Sequence, residues 1–158
     1  MLRSGTPRRL ALSLDTFERT WARSGRWAML SLPPERLPAT ASETAYLAAA
    51  AALERVAPAA ARHAYESALA RWPASAAARI GEGNAAYAMR DLKGAVAAYA
   101  RAAQDHPGAA DAWNNLAQAL LELGRRDEAL AAARRAVALG GPRADAYRQT
   151  LEGILRHR

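Results

Sequence analysis

Small apolar residues recur along this chain with a fixed step. Ala61, Ala95 and Ala129 lie 34 residues apart, as do Ala68, Ala102 and Ala136, and the same step links Tyr65 to Tyr99 and Pro73 to Pro107. A self-similarity of this length marks a repeat architecture, in which each unit is two helices joined by a turn and buries its apolar face only against its neighbours. The pattern predicts units over 42–75, 76–109 and 110–143, with 144–158 adding one capping helix. Where two helices cross, an alanine or glycine lets the backbones approach while a nearby Leu, Tyr or Trp fills the remaining groove. Pro73 and Pro107 fall where a second helix must end, because proline lacks the N–H and clashes with the preceding turn. In the third unit Gly140, Gly141 and Pro142 predict a stop one residue later than the strict register.

The third unit reads AWNNLAQALLELGRRDEALAAARRAVALGGP, with Trp113, Leu116, Ala117, Leu120, Gly124, Ala129 and Ala136 as its fixed points. The second keeps Gly83, Ala95, Tyr99, Ala102 and Pro107 but carries Arg79 and Glu82 at two normally apolar places. The first is alanine-rich, has Pro58 in its inter-helix turn, and keeps the second-helix signature clearly. These residues at these places resemble the tetratricopeptide-repeat family. The resemblance implies an all-α fold, a short right-handed α-solenoid of three helix pairs plus a C-terminal capping helix.

The first 40 residues stand outside the repeat. Residues 9–14 suggest a strand, Asp15 then caps a short helix with Glu18 in the capping-box position, Gly25 ends it, and 26–32 suggest a second strand closed by Pro33 and Pro34. The wording LSLDTFERTWARSGRWAMLSLPP resembles the closing segment of papain-like cysteine peptidase domains of the bacteriocin-processing, double-glycine type, over roughly residues 2–38. In that family the nucleophilic cysteine and its histidine lie earlier in the domain, whereas this chain has no cysteine and no histidine before His63. No thiolate–imidazolium pair can be assembled from it. Two readings stay open: the remnant of a peptidase domain behind a truncated or alternative start at Met1, or an N-terminal cap unrelated to any peptidase. Two short strands without a sheet leave unpaired edges. The segment is therefore expected to fold on the first repeat, to self-associate with another chain, or to be poorly ordered.

Composition bounds the rest. A chain of 158 residues that is 51% hydrophobic, much of it alanine, can bury one elongated core but not two large ones. No apolar run reaches the roughly 18 residues of a membrane span. The basic N-terminus has too short an apolar run for a signal peptide, leaving the cytoplasm as the default compartment. Residues 1–40 carry 7 Arg against 3 acids, more than half of the net charge of +7. Lys93 is the only lysine, and arginine with alanine is what GC-rich coding favours. Nucleic-acid binding would need basic residues gathered on one face with aromatics between them. The mixed charges at 125–128 read instead as a solvated face, which argues against that class.

Candidate chemistry is sparse. His63, His106 and His157 have no partner at metal-ligand spacing, and Gly81-Glu82-Gly83 follows no strand and has no phosphate-loop spacing. No catalytic set, metal site or cofactor is predicted. Binding is the expectation, because the first helix of each repeat lines the concave face of a superhelix. In this register the exposed columns of that face hold Tyr46 and Ala50 in the first unit, Ile80, Asn84 and Tyr87 in the second, and Asn114, Asn115 and Gln118 in the third. Arg148 adds charge at the groove's end. Asparagine donates and accepts together, which suits a peptide backbone. Asn84 and Asn115 also resemble the two asparagines of the carboxylate-clamp type of tetratricopeptide domain, but Ile80 and Asp145 stand where that clamp has lysines. Capture of an acidic C-terminus is accordingly disfavoured. The expected function is a non-catalytic module that binds a protein or peptide; the alternative is an accessory C-terminal part of a papain-like peptidase.

Overall fold

The computed structural model describes Leu37 and residues 41–156. Seven helices follow one another over that stretch: α1 Glu43–Leu53, α2 Pro58–Arg71, α3 Ala76–Ala88, α4 Leu92–Asp105, α5 Ala110–Glu122, α6 Arg126–Leu139 and α7 Ala144–Arg156. No strand occurs among the described residues. The predicted strand-helix-strand of residues 1–40, its peptidase-like wording and self-association through it all fall outside the described residues, Leu37 apart.

Local sequence sets the helix ends. Ser42, Ser75 and Asp91 cap α1, α3 and α4 by accepting from the backbone N–H groups of Ala45, Ala78 and Gly94 at 3.3, 3.1 and 2.9 Å. Pro58 opens α2 at a position where the missing N–H costs nothing. The turns after α3 and α5 share one form. Arg90 and Gly124, one repeat apart, both take a left-handed backbone (φ 63° and 75°), and the next amides, of Asp91 and Arg125, return to the carbonyls of Ala86 and Leu120 at 2.9 Å.

The 34-residue step governs the second helices completely: α2, α4 and α6 begin at 58, 92 and 126 and end at 71, 105 and 139. The late stop expected in the third unit is corrected. α6 ends in register because Gly140, at φ 67°, turns the chain there, and only the proline is displaced. α1 departs from the step. Ala50, not Ala49, is its buried small residue (2% exposed), and it precedes Ala61 by 11 residues where Gly83 and Ala117 precede Ala95 and Ala129 by 12. The shorter spacing slides every side chain of α1 by one place relative to the later units.

Each helix packs on the next, and in addition α1 touches α3, α3 touches α5 and α5 touches α7, whereas α2, α4 and α6 do not touch one another. The first helices therefore form the closer, inner layer. Ala61, Ala68, Ala95, Ala102, Ala129 and Ala136 are fully buried, as the close-packing argument requires. Tyr65 and Tyr99 occupy the space those methyls leave. The Tyr65 ring lies where a Cβ on Gly81 would approach to 2.2 Å, and the Tyr99 ring where a Cβ on Gly83 would approach to 2.4 Å. The Gly-Glu-Gly of α3 is thus two separate clearances, one for each tyrosine. Arg79 and Glu82, the polar pair at apolar places, bond to each other at 3.2 Å.

Candidate functional site

Asn84, Tyr87, Asn115 and Gln118 come together, with Tyr99, around a recess of about 190 Å³ on the inner layer. A second recess of about 320 Å³ lies beside it, walled by Leu47, Ala51 and Glu54 of the first unit, Ala77, Ile80 and Gly81 of α3, and Asp111 and Arg143. Asn84 and Asn115 border both. Together the recesses make one groove across α1, α3 and α5.

A chain of hydrogen bonds runs along its floor. Tyr65 donates its hydroxyl to Glu54 Oε1 at 2.6 Å, and Asn84 Nδ2 lies 3.3 and 3.4 Å from the two oxygens of that carboxylate. Asn84 Oδ1 in turn accepts from the Tyr99 hydroxyl at 2.9 Å and from Asn115 Nδ2 at 3.3 Å. Asn84 is the hub because a planar amide presents a donor and an acceptor on opposite sides. Burial, reinforced by the hydrogen bond to Glu54 and its charge, pushes the Tyr65 hydroxyl far above its ordinary pKa of 10.0. Burial and the same carboxylate's charge do likewise to Tyr99. At the far wall Asp111 Oδ1 accepts from Tyr147 at 2.7 Å and from Arg143 at 3.3 Å. Burial first, then Asp111, pushes Tyr147 up to about 12.

Four expected groove residues, Tyr46, Ala50, Asn114 and Arg148, are placed otherwise. Tyr46 is half-buried and packs on Trp72, ring centroids 6.1 Å apart, because the one-residue slip of α1 turns it into the first unit's core. The same slip buries Ala50 and brings Leu47, Ala51 and Glu54 to the face instead. Asn114 is 8% exposed rather than open; its Nδ2 reaches Asn115 Oδ1 at 3.5 Å, and its Oδ1 is buried without a partner. Arg148 is exposed and bonds to Asp145. Ile80 does border the groove. At its other rim Tyr87 donates to Glu122, which Arg90 also holds at 2.8 Å, and Gln118 donates to Thr150 at 3.3 Å.

Sequence reasoning missed Glu54, Asp111 and Arg143. Glu54 was hidden by the slip of α1. Asp111 and Arg143 carried a signal in their spacing of 32, close to one repeat, which sets a first-turn acid of one unit beside the residue preceding α7. Among the described residues no group of three or more His, Asp or Glu side chains could hold a metal ion. His63 bonds to Glu66 at 3.2 Å, His106 ends α4, and His157 lies outside the described residues. In the mixed run at 125–128, Arg125, Asp127 and Glu128 are solvated as expected, with Arg125 held by both oxygens of Glu128 at 2.7 and 2.6 Å, whereas Arg126 is half-buried and donates to the Ile154 carbonyl at 3.2 Å. No described helix is long and apolar enough to cross a membrane.

Residues 80–147 match the tetratricopeptide-repeat family. The match covers α4, α5 and α6 whole, most of α3 and the first turn of α7. The crystal structure of MamA, a tetratricopeptide-repeat protein, superposes with a TM-score of 0.62 at 19% identity, over 72% of this chain and 66% of that one. This chain thus spans just under two thirds of the MamA chain, and at that identity the likeness is one of fold: an all-helical tetratricopeptide solenoid. No curated protein matches the sequence.

Proposed function

We propose that residues 42–156 form a non-catalytic interaction module, which receives an extended segment of a protein partner in the groove between α1, α3 and α5. The observation that carries this reading is the Asn84–Asn115 pair. The two amides are joined at 3.3 Å, they border both recesses, and each belongs to a different repeat. Asn84 is engaged by Glu54, Tyr99 and Asn115 and so fixes the Asn115 amide, whose second N–H and second oxygen lone pair meet a carbonyl and an amide of a main chain. Tetratricopeptide arrays are scaffolds in general, which agrees with this use of the inner layer. The partner's side chains would be read by Tyr87 and Gln118 at one end and by Leu47, Ile80 and Glu54 at the other.

Selection of displayed random peptides on the full chain tests the proposal. Peptides that bind should lose at least about tenfold in affinity when Asn84→Ala and Asn115→Ala are combined, the loss of roughly two hydrogen bonds. Binders indifferent to both substitutions would contradict it.

A further inference from the structure

Glu54 is the one groove carboxylate whose charge is unanswered among the described residues. Its neighbours are the Tyr65 hydroxyl at 2.6 Å and the Asn84 amide at 3.3 and 3.4 Å, all neutral donors. Asp111, on the opposite wall of the same recess, already has Arg143 at 3.3 Å. Within the recess the two acids and one arginine leave a single negative charge, in a chain whose net charge is +7. A half-buried carboxylate without a counter-charge is costly, and a cation delivered to it makes a stronger bond than any neutral donor can.

We propose that Glu54 makes this recess selective for a positively charged side chain, an arginine or lysine presented by a protein partner. The inference rests on the groove reading above and adds the chemistry of what the groove accepts. Two further features fit a long cation. Leu47, Ala51, Ala77 and Ile80 give the recess an apolar wall for an aliphatic stem, while Glu54 stands ready for the head. The recess, at about 320 Å³, has room for one such side chain and little more. Glu54 is also held in place beforehand, since Tyr65 and Asn84 fix the carboxylate from two sides before any ligand arrives.

Peptide selection on the full chain decides the matter. Groove-dependent binders should carry Arg or Lys at one fixed position. Replacing that residue by citrulline, which keeps the shape of arginine and loses its charge, should weaken binding at least about tenfold. Glu54→Gln keeps an oxygen acceptor for Tyr65 and should abolish the preference for arginine over citrulline. Groove-dependent binders without a basic residue, or with equal affinity for arginine and citrulline, would overturn the cation inference and leave the groove reading intact. A selection that yields nothing sensitive to Asn84→Ala and Asn115→Ala would overturn both. The arginine–citrulline comparison uses the unaltered chain, so it stands even if Glu54→Gln perturbs folding.

Discussion

Single side chains explain why so alanine-rich a sequence keeps one packing. An alanine methyl buries little area, so the specific fit comes from the few large groups, above all Tyr65 and Tyr99 seated on Gly81 and Gly83. Gly81→Ala and Gly83→Ala should each destabilise by about 1–3 kcal/mol, read as a lower urea midpoint, because a buried ring cannot yield to a new methyl. Gly153 in α7 has nothing within 4 Å of its would-be Cβ. Gly153→Ala should therefore stabilise by roughly 0.5–1 kcal/mol, from helix propensity alone. The tyrosines also set the alkaline limit. Tyr65, Tyr99 and Tyr147 ionise well above their ordinary pKa of 10.0 in the folded chain. Their contribution to stability is complete below pH about 10 and is lost as the pH rises from there, since the unfolded chain releases those protons first. A spectrophotometric titration should show a late tyrosine class, and unfolding should accompany it.

Helices and turns show how far the 34-residue step reaches. The second helices were legible in their register, because buried alanines fix their packing, but not in every end: the displaced Pro142 suggested a late stop for α6, which Gly140 ends in step with the others. The register of α1 was not legible, because its run of alanines lets a one-residue slip pass without any change in residue type, and the structure alone places Ala50 inside and Glu54 on the groove. That slip separates the four expected groove residues which do share a recess, Asn84, Tyr87, Asn115 and Gln118, from Tyr46, which does not. The buried Asn114 escaped for another reason: its neighbour Asn115 is of the same type, and composition cannot say which of two asparagines faces out. In the turns, Gly124 at φ 75° holds a conformation that an L side chain adopts at a cost. Gly124→Ala should lose about 1 kcal/mol. The terminal α7 is the lid of the core, with Ile154 fully buried beside Leu120 and Ala133. Ile154→Ala should cost about 2–5 kcal/mol and loosen α6 and α7 together, as faster amide hydrogen exchange in both helices would reveal.

For the described chain as a whole, function follows from which helices stand closest. The inner layer of α1, α3, α5 and α7 gathers the polar side chains, while α2, α4 and α6 supply buried alanines and the two tyrosines that reach through to the groove floor. On the proposed reading the array binds without moving its scaffold, so binding should leave the helical content unchanged. The central claim, that the inner layer receives a protein segment, is tested most directly by amide and side-chain chemical shifts of the full chain titrated with a selected peptide. The largest changes should fall on Glu54, Asn84, Tyr87, Asn115 and Gln118. Changes concentrated on the outward faces of α2, α4 and α6 would contradict the account.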